Sequence, residues 1–217
     1  MVSPQPADSA ILKTCCANLY ESDWAQLLLG GSFHPGGLAL TERLGTLLHL
    51  QPGHRVLDVA SGKGTSAIHI AQRFGCDVVG VDYSARSVED GIVASVNVGV
   101  SDRVRFKRGD AETLPFGDAE FDAVICECAF CTFPDKCAAA SEFARVLKPS
   151  GRVGLSDLTR SGPLTSTRPI CKAPDLPSNM SSYTTRRLPR RSGASAPNFS
   201  ARNCWRNSSG LICPART

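Results

Sequence analysis

The stretch Arg55 to Ser84, RVLDVASGKGTSAIHIAQRFGCDVVGVDYS, decides the fold, because it reads in order as strand, glycine turn, helix, strand and acidic residue. Val56, Leu57 and Val59 make a short buried strand, and Gly62 and Gly64 open the turn. Thr65 to Phe74 then sets Ala67, Ile68, Ala71 and Phe74 at helical spacing. Val78 to Val81 predicts a second apolar strand, closed by Asp82. The turn needs glycine because the chain bends sharply at a strand end and must bring a ligand against backbone that a Cβ would cover. Asp82, with Tyr83 beside it, stands at the tip of the second strand, where a carboxylate can accept both hydroxyls of a ribose. The unit is one that binds nucleotides.

Gly62, Gly64 and Ala67 satisfy G-x-G-x-x-G/A, a turn shared with dinucleotide sites, so the turn alone leaves a dehydrogenase or a non-nucleotide βαβ module open. Asp58 favours another ligand. Its charge at the end of the first strand suits the sulfonium and amino group of S-adenosylmethionine and would repel a pyrophosphate. Further along, Gly109-Asp110-Ala111 follows a third strand, Val104 to Lys107, in position to read an adenine edge, and Phe121 to Ile125 opens a fourth.

In this series of motifs the chain resembles the class I methyltransferases. The resemblance implies S-adenosylmethionine as cofactor, with Asp58 near its methionine moiety, Asp82 on the ribose, and Asp110 and Ala111 bordering the adenine. It also implies that the helices before the sheet close over the cofactor, with His34, Gly37 and Thr41 near its carboxylate end. Leu114-Pro115-Phe116 resembles the family's stretch beside the adenine ring. One position departs: the family usually has glycine where Ala60 stands, and alanine there resists positive φ and narrows the pocket. The cofactor-binding candidates are therefore Asp58, Ala60, Gly62, Gly64, Asp82, Tyr83, Asp110, Ala111, Gly37 and Thr41.

Outward from this unit, Ile11, Leu12, Cys15, Cys16, Leu19 and Tyr20 predict a helix over about Ser9 to Leu29, and Leu38, Leu44, Leu47 and Leu48 a second, closed by Gln51-Pro52-Gly53. Ala85 to Val98 reads as a helix with Val88, Ile92, Val93 and Val96 inward. Asp135 to Leu147 is another helix, and Arg152 to Ser156 a fifth strand. Alternating strands and helices imply an α/β fold, a Rossmann-like, doubly wound and mainly parallel sheet with N-terminal lid helices. The domains are then residues 1–53 for the lid, 54–164 for the cofactor-binding body and 165–217 for a tail.

That tail has nine serines, five threonines and six prolines in 53 residues and no apolar periodicity, so it builds no core. It reads as a disordered basic tail, or as a frameshifted, spliced or truncated end that lacks the family's C-terminal hairpin. It holds nine Lys and Arg against Asp175 alone, which leaves the body 15 basic and 19 acidic residues within a chain of net charge +4. The body therefore offers no nucleic-acid surface, while the tail could bind polyanions weakly. No apolar run approaches the roughly 18 residues of a membrane span, and no secretory signal is visible, so the expected location is the cytoplasm. Ten cysteines without such a signal argue against a disulfide framework.

Beyond the fourth strand lies Cys126-Glu127-Cys128-Ala129-Phe130-Cys131, where the family places its acceptor. Cys128 and Cys131 form a C-x-x-C pair without the second pair that structural zinc requires. The longer run Cys128 to Lys136, with Ala144 to Gly151 and Ser156-Asp157, is similar to arsenite methyltransferases, which have a metalloid-binding cysteine at the place of Cys128. That likeness implies a soft acceptor held by Cys128, since thiolates suit a thiophilic centre, and Cys131 or the Cys15-Cys16 pair are the candidates for a further thiolate. An ordinary small-molecule acceptor with Glu127 or His34 as base, a non-catalytic cofactor-binding module, and Cys126 and Cys128 as plain core residues remain the alternatives.

Overall fold

The computed structural model describes residues 6–21, 36–160 and 199–201. Helix α1 spans Pro6–Glu21 and α2 spans Gly37–Leu47. Then follow β1 (Arg55–Val59), α3 (Thr65–Phe74), β2 (Asp77–Asp82), α4 (Ala85–Asn97), β3 (Val104–Arg108), β4 (Phe121–Glu127), α5 (Lys136–Val146) and β5 (Leu147–Ser156). A single turn of 3-10 helix, Phe130–Thr132, stands between β4 and α5. The predicted continuation of α1 to Leu29 and the loop with His34 lie outside the described residues.

The five strands form one parallel sheet in the order β3-β2-β1-β4-β5. Because side chains alternate along a strand, Val56 and Leu57 face opposite layers. Val56, Val78 and Ile125 pack with Leu44, Ala67 and Ile70 of α2 and α3. Leu57, Val59 and Val124 pack with Phe143 and Val146 of α5. Strand order reverses between β1 and β4, and in such sheets the crevice beyond the carboxyl ends at that point receives the ligand.

Phe106 of β3 fits a socket of glycines: a Cβ on Gly64 would lie 2.2 Å from its ring, one on Gly80 2.5 Å and one on Gly91 2.9 Å. This contact corrects the expected orientation of α4. Its buried residues are Val88, Gly91 and Ser95, while Ile92, Val93 and Val96 are exposed. The helix turns its small side towards the ring because only glycine permits that approach, and Ile92, Val93 and Val96 are carried outward.

Two further differences concern the end of the sheet. Strand β5 begins at Leu147 rather than Arg152, with a register irregularity opposite Phe121 to Ala123 that absorbs the Lys148-Pro149 step. Within the tail, β7 (Phe199–Ala201) pairs antiparallel with β6 (Leu158–Arg160), in a ladder separate from the main sheet. Among the described residues no strand covers the outer edge of β5.

Candidate cofactor and acceptor cleft

The glycine turn is fastened to β2. Ser61 donates its N–H to the Val81 carbonyl at 3.1 Å, and Gly64 donates to Ser61 at 2.9 Å. Asp82 accepts the Gly62 N–H on Oδ2 at 2.8 Å and the Ser84 N–H on Oδ1 at 2.9 Å. The acid expected to meet a ribose thus also holds the turn. Ala60 adopts φ 58°, inside the left-handed region where glycine is at ease and alanine is strained.

Asp58 is 2% exposed. Burial first, then the charges of Glu127 and Asp82, push its carboxyl well above the usual range, partly offset by the Ala67 N–H that it accepts. Its Oδ2 is buried with no hydrogen-bond partner among the described residues. Glu127, at the end of β4, accepts the Thr41 hydroxyl at 2.9 Å and the Ser66 hydroxyl at 2.7 Å, both on Oε2. Two carboxyl groups therefore flank the point where strand order reverses.

Helix α1 closes the cleft from outside. Lys13 binds Asp110 Oδ2 at 2.7 Å and also Glu112. Glu112 accepts the Asp135 N–H at 2.7 Å, so one lysine connects α1, the loop after β3 and the start of α5.

Cys126 and Cys128 are buried and Cys131 is exposed. Cys128 has φ 55° and donates its N–H to the Ser156 carbonyl at 2.7 Å. Asp157, itself buried, accepts the Cys131 N–H at 2.6 Å. Desolvation of the sulfur, followed by the charge of Asp157, pushes the Cys128 and Cys131 thiols each up to about 12, and burial raises Cys126 as well. All three are held as thiols near neutral pH. Cys15 is exposed on α1, and the side chain of Cys16 lies outside the described residues. Among the described residues no group of three or more His, Cys, Asp or Glu is arranged to hold a metal ion. Cys137 is disulfide-bonded.

The cleft at the carboxyl ends of the strands is lined by Asp58, Ala60, Gly62, Asp82, Tyr83, Asp110, Ala111, Glu127 and Cys128, all expected from sequence, and also by Lys13, Ser61, Ser66, Thr132 and Phe133. Besides Cys15, four described candidates stand elsewhere. Gly64 does not line the cleft but caps α3 at φ 81° against Phe106. Thr41 is fully buried and reaches the cleft through Glu127 and Ser66, Gly37 begins α2, and Cys131 lies outside the lining. Leu114 is core, and Phe116 packs edge-on against Phe121 at 5.1 Å. Lys13 was legible as the one cation in α1, and Ser66 as a hydroxyl in the first turn of α3, though no motif marks either.

Residues 56–151 match the family model described as a methyltransferase domain. Over this stretch the chain is similar to a methyltransferase domain. It is 32% identical over 164 residues to 27-O-demethylrifamycin SV methyltransferase of Amycolatopsis mediterranei, covering 72% of this chain and 60% of that protein. It is 33% identical over 131 residues to phosphoethanolamine N-methyltransferase 1 of Arabidopsis thaliana, covering 60% and 26%. A solved geranyl diphosphate methyltransferase, in complex with SAM, superposes with a TM-score of 0.55 at 25% identity, covering 72% of this chain and 57% of that one. The chain spans from about a quarter to three fifths of the length of these curated relatives. No helix among the described residues is long and apolar enough to cross a membrane.

Proposed function

We propose that the methyltransferase domain binds S-adenosylmethionine and transfers its methyl group to a small-molecule acceptor. The observation that carries this reading is Asp82, whose carboxylate joins the glycine turn to the tip of β2 at the mouth of the cleft. The residues present fit the cofactor: Asp58 offers a buried oxygen without a donor, and Asp110 and Ala111 border the opposite end of the cleft. The bound cofactor would supply an electrophilic methyl on a sulfonium. Displacement there is in line, so the protein's work is to orient the acceptor and keep water out. Lys13 and α1 provide the cover, and Cys128, Thr132 and Phe133 the wall on the acceptor side.

The named relatives act on oxygen and on nitrogen acceptors, so the domain does not itself choose the acceptor atom. A second reading, a thiophilic acceptor such as trivalent arsenic, is favoured by Cys128 in the cleft wall. An arsenic hydroxide can condense with a neutral thiol, forming the As–S bond and releasing water, so the raised thiol does not forbid it. Transfer of a labelled methyl group to arsenite in the presence of excess thiol would be lost in Cys128→Ser. Equal transfer by that variant, or none by the unaltered chain, rejects this acceptor.

Calorimetry tests the main reading. S-adenosylmethionine and its demethylated product should bind and NAD should not. Asp82→Ala should weaken the cofactor roughly tenfold to a hundredfold, the range expected for loss of a hydrogen bond to a charged group. NAD binding in place of S-adenosylmethionine rejects it.

A further inference from the structure

We infer that Glu127 is a cofactor-binding residue, paired with Asp58, and that the two carboxyl groups make the cleft select a cationic cofactor over its neutral thioether product. The inference rests on the proposed function and assigns a task within the same site. Glu127 is fixed from two helices at once, since Thr41 of α2 and Ser66 of α3 both donate to Oε2. Two hydroxyl donors on one carboxylate oxygen fix the direction of the side chain, so Glu127 is held in place for binding. Asp58 lines the same cleft from the neighbouring strand, with Oδ2 buried and unpaired among the described residues.

In a partly dry crevice two neighbouring acids resist being ionised together, so Asp58 keeps its proton more firmly there, and a positive charge between or beside them removes that cost. S-adenosylmethionine carries such a charge on sulfur. In the transfer the acceptor's lone pair forms the new bond to the methyl carbon, the carbon–sulfur bond breaks with its electrons left on sulfur, and the sulfonium charge disappears. Thr41 and Ser66 prevent Glu127 from swinging away to water when the charge is lost, so the repulsion returns and weakens the product's hold. The pair therefore favours exchange of spent for fresh cofactor.

The test is calorimetry on the full chain with S-adenosylmethionine, S-adenosylhomocysteine and sinefungin, whose amine is positive where the product's sulfur is neutral. The unaltered protein should bind both cations at least about tenfold more tightly than the thioether, a gap of roughly 1.4 kcal/mol. Glu127→Gln, which keeps shape and loses charge, should narrow that gap to about threefold or less, chiefly by weakening the two cations. Equal affinity for all three ligands in the unaltered protein, or an undiminished gap in the variant, overturns the inference while leaving the proposed function intact. Binding of none of them overturns both. If circular dichroism shows that Glu127→Gln does not fold, Asp58→Asn carries the same comparison with the same expected narrowing.

Discussion

Lys13 of α1 reaches Asp110 Oδ2 at 2.7 Å, across 97 positions of sequence, and binds Glu112 as well. Hydrogen bonds to both acids outweigh the desolvation of the amine and raise its pKa, so it stays charged in place. Lys13→Met should release the lid. Because the pair is only partly buried, the loss is expected at about 1 kcal/mol, or roughly a fivefold weaker and faster-dissociating cofactor, read by stopped-flow fluorescence. High salt should reproduce part of the effect in the unaltered chain and little in the variant.

Ala60 holds φ 58° at the first step of the glycine turn. Ala60→Gly removes the clash of Cβ with the carbonyl that follows and should stabilise the fold by about 1 kcal/mol, less the entropy that glycine adds to the unfolded chain. Urea unfolding should show a higher midpoint at unchanged slope. A lower midpoint would mean that the alanine methyl is packed rather than strained.

Asp58 gives stability a pH dependence of definite sign. Burial raises its carboxyl in the folded protein, so between the ordinary unfolded value of about 3.9 and the raised one the native state holds the extra proton. Stability of the ligand-free protein should therefore fall as pH climbs through that window. Asp58→Asn should flatten the curve and be more stable at neutral pH by about 1 kcal/mol, or roughly 2–4 °C in Tm, measured by scanning calorimetry.

The thiols divide by environment. Cys15 is exposed, whereas Cys76, Cys126 and Cys128 are buried. Cys76 is pushed up to about 11 and Cys128 and Cys131 up to about 12, chiefly by desolvation of the sulfur, so few of them are thiolate near neutral pH. Brief iodoacetamide treatment at about pH 7.5 should label Cys15 first, and peptide mass spectrometry should find Cys76, Cys126 and Cys128 unmodified until the protein is denatured.

The unit from Arg55 to Asp82 was readable because strand, turn and helix each carry a strong local pattern, and α3 forms over Thr65–Phe74 as the spacing predicts. The acids Asp58, Asp82 and Asp110 were placed by their positions at strand ends, which topology preserves. What could not be read is what depends on distant partners. Nothing near Gly91 says that Phe106 will turn α4, nothing near Thr41 says that it will hold Glu127, and three strands separate Lys13 from its partners along the chain. The start of β5 is hidden in the sequence for a related reason: Lys148-Pro149 looks like a stop, yet Lys148 is drawn to Asp122 at 2.8 Å and the strand runs through.

The fit of Phe106 among Gly64, Gly80 and Gly91 binds three separate segments to one ring. A methyl group added at any of the three glycines meets the same aromatic edge, and shrinking the ring empties all three contacts at once. Substitutions at these four positions are consequently epistatic: Gly80→Ala and Phe106→Leu, each harmful alone, should cost less together than the sum of the two. Descendants of this chain can alter the socket only by coordinated replacement, so the spacing between turn, second strand and fourth helix is inherited as a block.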